Sequence, residues 1–108
     1  MKMRKMKTLR EIESELCDKV WYNRHMIRRE KIESGLMPVV EGHTELFGPQ
    51  NSVQKDIWDG ALAAAGKVEK KYGIENLGPY DDFEWGVING KLSAIRWVLG
   101  DDWDNLDT

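Results

Sequence analysis

Apolar residues recur along three stretches of the chain with the spacing of amphipathic helices. In the first stretch they fall on one stripe, about 100° apart per residue, at Leu9, Ile12, Leu16, Val20 and Ile27. Thr8 with Glu11 three positions later fits a capping box, and Gly35 stands where a left-handed residue ends a helix. The pattern predicts a long first helix over residues 9–34.

A second helix is predicted over residues 53–72, with Asn51 or Ser52 as its N-cap and Gly73 as its stop. Its predicted inner face consists of Val53, Ile57, Ala61, Ala64, Ala65 and Val68. Gly60 and Gly66 each cost about 1 kcal/mol relative to alanine inside a helix. Their presence favours a close approach by another backbone.

The third helix is predicted over residues 82–99, between an Asp81/Glu84 cap and a Gly100 stop. Its core-facing stripe is predicted to consist of Phe83, Val87, Ala94 and Val98, with Gly86 and Gly90 in a small-residue groove beside it. On this assignment Trp85, Asn89 and Arg96 project together on the opposite, outward face.

Between the first two helices, residues 35–52 are interrupted by glycine and proline but contain several apolar side chains. The segment is too apolar for a free linker, and a short strand around Val39 would have no evident partner. We therefore expect an all-α single domain over residues 1–108. It would be a compact three-helix bundle with an ordered loop at 35–52, a basic arm at 1–7 and an acidic tail at 101–108.

Charge is unevenly distributed over the 108 residues, although the formal net charge is only −3. Residues 1–31 contain ten Lys and Arg against five Asp and Glu, whereas residues 32–108 contain six against fourteen. Such asymmetry can steer a partner or hold two parts of a molecule together. The single cysteine, Cys17, excludes an intramolecular disulfide. With no signal peptide or membrane-spanning run, the expected location is cytoplasmic.

Candidate catalytic and metal-binding groups are few. His25, His43 and Cys17 lack the spacing of a zinc site. Glu41, His43 and Glu45 alternate, so a mixed His/carboxylate site that also includes His25 is an alternative. The acidic pairs at 81–82 and 101–102 stand at helix ends, where aspartate is expected for capping. The sequence predicts no metal, no cofactor and no catalytic residue.

Candidate interaction residues form two groups. The first is Trp85, Asn89, Arg96, Trp103 and Asp104, on the third helix and the acidic tail. Aromatic and guanidinium side chains are frequent interface anchors. The tail is predicted to fold back onto the core, to fill a basic groove on a partner, or to mimic phosphate. The second group is Arg24, His25 and Arg28 on the first helix.

A distinctive motif runs from Glu84 to Asp104 and reads EWGxxNGKLSAxRWVLGxxWD. It resembles the C-terminus of a group of short uncharacterised prokaryotic and phage-type proteins, and VWYNRH at Val20–His25 resembles them more loosely. The group has no established activity, so the resemblance implies kinship and no chemistry.

The sequence therefore predicts a non-catalytic protein-interaction module, an accessory or regulatory subunit that docks through the third helix and the tail. Its partner is another protein, and self-association through an Ala/Gly-rich face is one option. The alternative is a nucleic-acid-binding regulator that uses the basic arm and first helix, although a pI of about 5.4 is lower than usual for that class. An enzyme with an unrecognised His/carboxylate site is the third option.

Overall fold

A computed structural model of the protein describes residues 1–41 and 52–103. These residues form three α-helices and one two-stranded sheet: α1 (Met6–Glu33), β1 (Val39–Val40), β2 (Val53–Gln54), α2 (Lys55–Tyr72), a 3-10 turn at Ile74–Asn76, and α3 (Asp82–Val98). The prediction of a mostly helical chain with three helices is confirmed. Most of the predicted ordered loop, and the tail from Asp104 onward, lie outside the described residues.

Helix α1 begins at Met6, so Thr8 lies inside the helix and the predicted capping box at Thr8 and Glu11 is wrong. The end of the helix is close to the prediction. Gly35 takes a φ of 84°, which glycine adopts without steric cost. This turn lets the backbone N–H of Leu36 donate to the Lys31 carbonyl at 2.9 Å. The left-handed glycine therefore reverses the chain after α1.

A short strand does form at Val39, and it has the partner that the sequence did not reveal. Strands β1 and β2 are parallel, with Val39 opposite Val53 and Val40 opposite Gln54. Val53 N–H also donates to the Pro38 carbonyl at 3.1 Å. The pattern had assigned Val53 and Gln54 to the second helix, because an apolar residue before a helix fits either element. Gln54 is the N-cap of α2 and makes no side-chain capping bond, so the predicted cap at Asn51 or Ser52 is wrong.

The described chain divides into two compact units. The first unit combines Met1–Trp21 with Gly78–Thr108, and the second unit is Tyr22–Leu77. Leu16, Val20 and Leu92 form the core of the first unit, and Tyr22, Ala65 and Leu77 form that of the second. Because the boundary falls within α1, one continuous helix supplies residues to both cores.

The change of unit explains why the predicted stripe on α1 fails beyond Val20. Leu16 and Val20 are buried as expected and Ile12, also in the first unit, is 40% exposed, but Ile27, predicted to be buried, is 51% exposed. Beyond Val20 the buried positions are Tyr22 and His25, on a different side of the helix. A single stripe cannot describe a helix whose two halves pack in different cores.

Helix α3 is rotated by roughly a third of a turn from the predicted orientation. Leu92 is fully buried, and Trp85, Ile88 and Ile95 pack against the core of the first unit. The predicted core residues Phe83 and Val98 are 79% and 55% exposed. Apolar residues occupy both sides of this helix at regular helical spacing, so the periodicity permitted either orientation.

The glycines inside α2 and α3 are not explained by close packing within the described residues. A Cβ added at Gly60, Gly66, Gly86 or Gly90 would meet no described atom within 4 Å. The prediction that another backbone of the same chain approaches them is therefore wrong for the described part of the chain.

We expect Gly66→Ala to stabilise the protein by about 0.5–1 kcal/mol, because alanine has the higher helix propensity and the site is open. The matched control is Gly73→Ala. Gly73 has a φ of 85°, and a Cβ there would lie 2.5 Å from the Glu75 carboxylate, so alanine should destabilise. Urea unfolding of both variants measures the difference. Equal changes in the free energy of unfolding for the two variants would contradict this account of the two glycines.

Candidate interaction surface

Three of the predicted interaction residues lie on the inner side of α3. Trp85 packs against the core of the first unit, and Asn89 Nδ2 donates to the Trp85 carbonyl at 2.8 Å. Arg96 Nη2 donates to Cys17 Sγ on α1 at 3.2 Å. All three are half-buried. The prediction that they project together into solvent is wrong, because α3 packs with the opposite side inward.

The surface that α3 presents to solvent is apolar. We define the outer face of α3 as Phe83, Gly86, Val87, Gly90, Ala94, Trp97 and Val98, all of which are exposed. Spacings of three and four residues keep these positions on one side of the helix. A contiguous apolar patch of this kind is a recognised sign of an interaction site.

Charged residues flank the outer face in an ordered way. The acidic residues Asp82 and Glu84 lie in the first turn, and Lys91 and Arg96 lie in the later turns. This arrangement is favourable with respect to the helix dipole. At 100° per residue, Glu84 and Lys91 border one edge of the face and Asp82 borders the other, whereas Arg96 lies toward the inner side of the helix. The edge with Glu84 and Lys91 therefore has a negative end and a positive end.

A complete capping box fixes the start of α3, as predicted. Asp81 Oδ1 accepts from the Glu84 backbone N–H at 2.7 Å, and Glu84 Oε1 accepts from the Asp81 N–H at 3.3 Å. Such caps contribute about 0.5–2 kcal/mol. The outer face consequently begins at a well-defined first turn.

Aromatic rings mark both ends of the outer face. At the N-terminal end, Tyr80 stacks on Trp85 with ring centroids 6.3 Å apart. A shallow pocket of about 240 Å³ there is lined by Tyr80, Phe83, Glu84, Val87 and Ile88. Burial, and then Glu84 and Glu15, raise the pKa of the Tyr80 hydroxyl.

At the C-terminal end, Trp103 meets the edge of Trp97 with ring centroids 5.1 Å apart. The first described residues of the tail thus return to α3, but Trp103 remains 63% exposed. Asp104 and Leu106 lie outside the described residues. The two indoles extend the apolar surface of the outer face beyond the end of the helix.

A second groove in the first unit runs between α1 and α3. It has a volume of about 420 Å³, with Ile12, Leu16, Ile88 and Ile95 among its apolar lining residues. Lys19 and Glu15, which also line it, are an ion pair with an N–O distance of 3.5 Å. The groove is open to solvent and contributes apolar surface adjacent to Lys91.

On α1, the predicted second surface includes one residue that is not at the surface. Arg24 and Arg28 are exposed, but His25 is only 6% exposed. The His25 ring stacks on Trp58 of α2 at 5.1 Å between centroids. Its Nε2 lies 2.8 Å from Arg29 Nη2. Because a guanidinium can only donate, Nε2 accepts and the ring proton of neutral His25 is on Nδ1.

A second buried polar contact lies beside His25. Tyr22 donates its hydroxyl proton to Glu69 Oε2 at 2.6 Å, and the Tyr22 and His25 rings are 6.1 Å apart. Burial, with the Glu69 carboxylate, raises the pKa of Tyr22 to about 12. Burial and the nearby Arg29 and Arg28 lower the pKa of His25, although Glu69 opposes them.

The sequence contained a signal for this cluster that the apolar stripe obscured. Tyr22, His25 and Arg29 are spaced three and four residues apart, which places them on one side of α1. Each has both an apolar part and a polar group, so a pattern of apolar letters does not detect them. The residues instead form a buried polar network that joins α1 to α2 within the second unit.

Among residues 1–41 and 52–103, no group of three or more His, Cys, Asp or Glu side chains is placed to hold a metal ion. His43 and Glu45 of the hypothesised mixed site lie outside these ranges. His25, which the hypothesis added to these residues, already has its Nε2 beside Arg29. Within the described chain, no helix is long and apolar enough to cross a membrane.

Comparison with protein-family models, with curated proteins and with solved structures gives no match for this chain.

We expect the stability of the protein to fall as the pH drops below about 6.5, the ordinary pKa of histidine. The pKa of His25 is lowered in the folded state, so the unfolded chain takes up the proton first and is favoured in acid. Above that pH the imidazole is neutral in both states and contributes no pH dependence. Urea unfolding between about pH 5.5 and 7.5 measures the slope.

The chain contains only two histidines, which provides a matched control. His25→Phe keeps a ring against Trp58 but cannot titrate, so most of the slope should disappear. His43→Gln should leave the slope unchanged. An unaltered slope in His25→Phe would show that another group is responsible.

The Tyr22–Glu69 hydrogen bond should contribute a coupling free energy of about 1–3 kcal/mol, because it is short, partly buried and charge-assisted. A double-mutant cycle with Tyr22→Phe and Glu69→Gln isolates this contribution. The exposed pair Lys55–Asp59, at 2.7 Å, is the comparison pair and should couple much more weakly. Additive effects of Tyr22→Phe and Glu69→Gln on the free energy of unfolding would show that the two side chains are not coupled.

Proposed function

We propose that this chain is a non-catalytic protein-interaction module that docks through the outer face of α3, extended by Trp103. The exposure of Phe83, Val87, Trp97 and Val98 on one side of a capped helix carries the proposal. The proposed setting is a reducing, cytoplasmic compartment, in keeping with the single Cys17. This revises the predicted surface: it retains α3 and Trp103 but exchanges Trp85, Asn89 and Arg96 for the opposite side of the helix.

The shape of the outer face supports a helical or flat protein partner. The 17 residues of α3 span about 25 Å. Two glycines in the middle of the face leave room for the backbone of a partner, and aromatic anchors stand near both ends. Each buried apolar side chain contributes about 1.5–3 kcal/mol relative to exposure. A few such anchors suffice for specific association.

Binding of nucleic acid is the second candidate, favoured by one observation. Lys2, Arg4, Lys5 and Lys7 are all exposed at and before the start of α1. The stacking part of that hypothesis has less support, because Tyr22 and His25 are buried in the second unit. Binding of single-stranded DNA should then be weak and should fall steeply with salt. No binding at about 50 mM salt would remove this candidate.

We expect Val87→Glu to reduce the capture of protein partners from native extract by at least about tenfold, because it places a charge in the middle of the apolar face. Val87 is on the surface, so the fold should be retained, which circular dichroism verifies. Quantitative mass spectrometry of the captured proteins is the measurement.

Leu62→Glu is the matched control. Leu62 is an exposed apolar residue of α2, as accessible as Val87. Leu62→Glu should leave the captured proteins unchanged. Deletion of residues 104–108 should also leave them unchanged. If Val87→Glu and Leu62→Glu capture the same proteins as the unmodified chain, the outer face of α3 is not the docking surface.

A further inference from the structure

The outer face of α3 is complementary to itself when two copies are placed antiparallel. We propose that a second copy of this chain occupies the face, forming a two-fold symmetric dimer through α3. The inference rests on the proposed function, because it uses the same surface, and it adds the identity and orientation of the partner. A two-fold interface requires each contact to occur twice, with the residues exchanged.

Side-chain size agrees with one particular register. With the two-fold axis at the height of Ile88 and Asn89, Phe83 lies opposite Ala94 of the second copy, and Val87 lies opposite Gly90. In both of these pairs a large residue meets a small one. Such alternation lets facing layers interdigitate at native density. A Cβ at Gly86 or Gly90 has no described atom within 4 Å, so space for the second helix exists.

The charges at the edges agree with the same register. In an antiparallel pair, each edge of one helix faces the same edge of the other. At the edge bordered by Glu84 and Lys91, Glu84 then lies within two residues of directly opposite Lys91. Opposite charges therefore meet at that edge, which favours this orientation and register.

Glu84 has capacity for such a pair. It accepts at Oε1 from the Asp81 N–H, and its second carboxylate oxygen can accept from a lysine. The reverse orientation is disfavoured by charge, because a parallel pair would set the two acidic first turns side by side.

The size of the outer face sets the expected strength of dimerisation. A helix of about 25 Å buries less than a standard interface. The dimer should accordingly be in rapid exchange with monomer, with a dissociation constant in the micromolar range. Sedimentation velocity from about 5 to about 500 µM should show the weight-average mass rise from monomer toward dimer.

Charge reversal tests the orientation. Lys91→Glu sets two negative charges against each other at each end of the pair, and Glu84→Lys sets two positive charges there. Each variant alone should remain monomeric across the concentration range, and an equimolar mixture should dimerise. In the mixture each introduced charge meets its opposite. This is the result that an antiparallel pair with Glu84 near Lys91 predicts.

Gly90→Leu provides a test that leaves the capping box intact. If association were non-specific, the apolar surface that leucine adds at this open position would strengthen it. In the proposed pair, leucine fills the space opposite Val87, so dimerisation should weaken at least about tenfold. Gly66→Leu on α2 is the matched control and should leave dimerisation unchanged.

The outcomes separate this inference from the proposed function. A monomer at all concentrations, or a dimer that Gly90→Leu strengthens, overturns the antiparallel pair. If Val87→Glu still depletes captured proteins in that case, the face binds a different partner and the proposed function stands. If the monomeric chain captures the same proteins with and without Val87→Glu, both are wrong.

Discussion

Leu92 of α3 packs against Leu16 and Val20 of α1, and this contact fixes the rotation of α3 about its own axis. The remaining surface of the first unit depends on that rotation. With Leu92 fully buried, Trp85, Ile88 and Ile95 turn inward beside it, and Phe83, Val87 and Trp97 turn outward. The opposite rotation would bury the glycine-containing side and expose the motif's Trp85 and Arg96. One buried leucine thus determines which surface is available to a partner.

A corresponding constraint in the second unit is polar. His25 is held between Trp58 and Arg29, and Tyr22 donates to Glu69. Buried polar groups of this kind restrict the geometry of the core because each needs its particular partner. The first unit combines an apolar core with an apolar exposed face, whereas the second has a polar network beside its apolar core. The two units therefore differ in the surface that they expose and in the interactions that stabilise them.

The sequence predicted those features that local patterns encode. The number of helices, the capping box at Asp81 and Glu84, and the left-handed glycines at Gly35 and Gly73 follow from local residue preferences. The orientation of α3 could not be predicted, because Trp85, Ile88, Leu92, Ile95 and Leu99 form one regular stripe and Phe83, Val87, Ala94 and Val98 another. Choosing between them requires knowledge of what packs against the helix. The pairing of Val39 with Val53 and the contact of His25 with Trp58 also depend on residues far apart in sequence.

The order of the two units along the chain has a consequence for folding. The second unit is inserted between the two segments of the first, Met1–Trp21 and Gly78–Thr108. The first unit can form only when the ends of this long intervening segment come together. A flexible loop of that length opposes closure through its entropy. Folding of the second unit shortens the effective loop, so it lowers the entropic barrier to assembling Leu16, Val20 and Leu92. The folded inserted segment thereby favours formation of the core that orients α3.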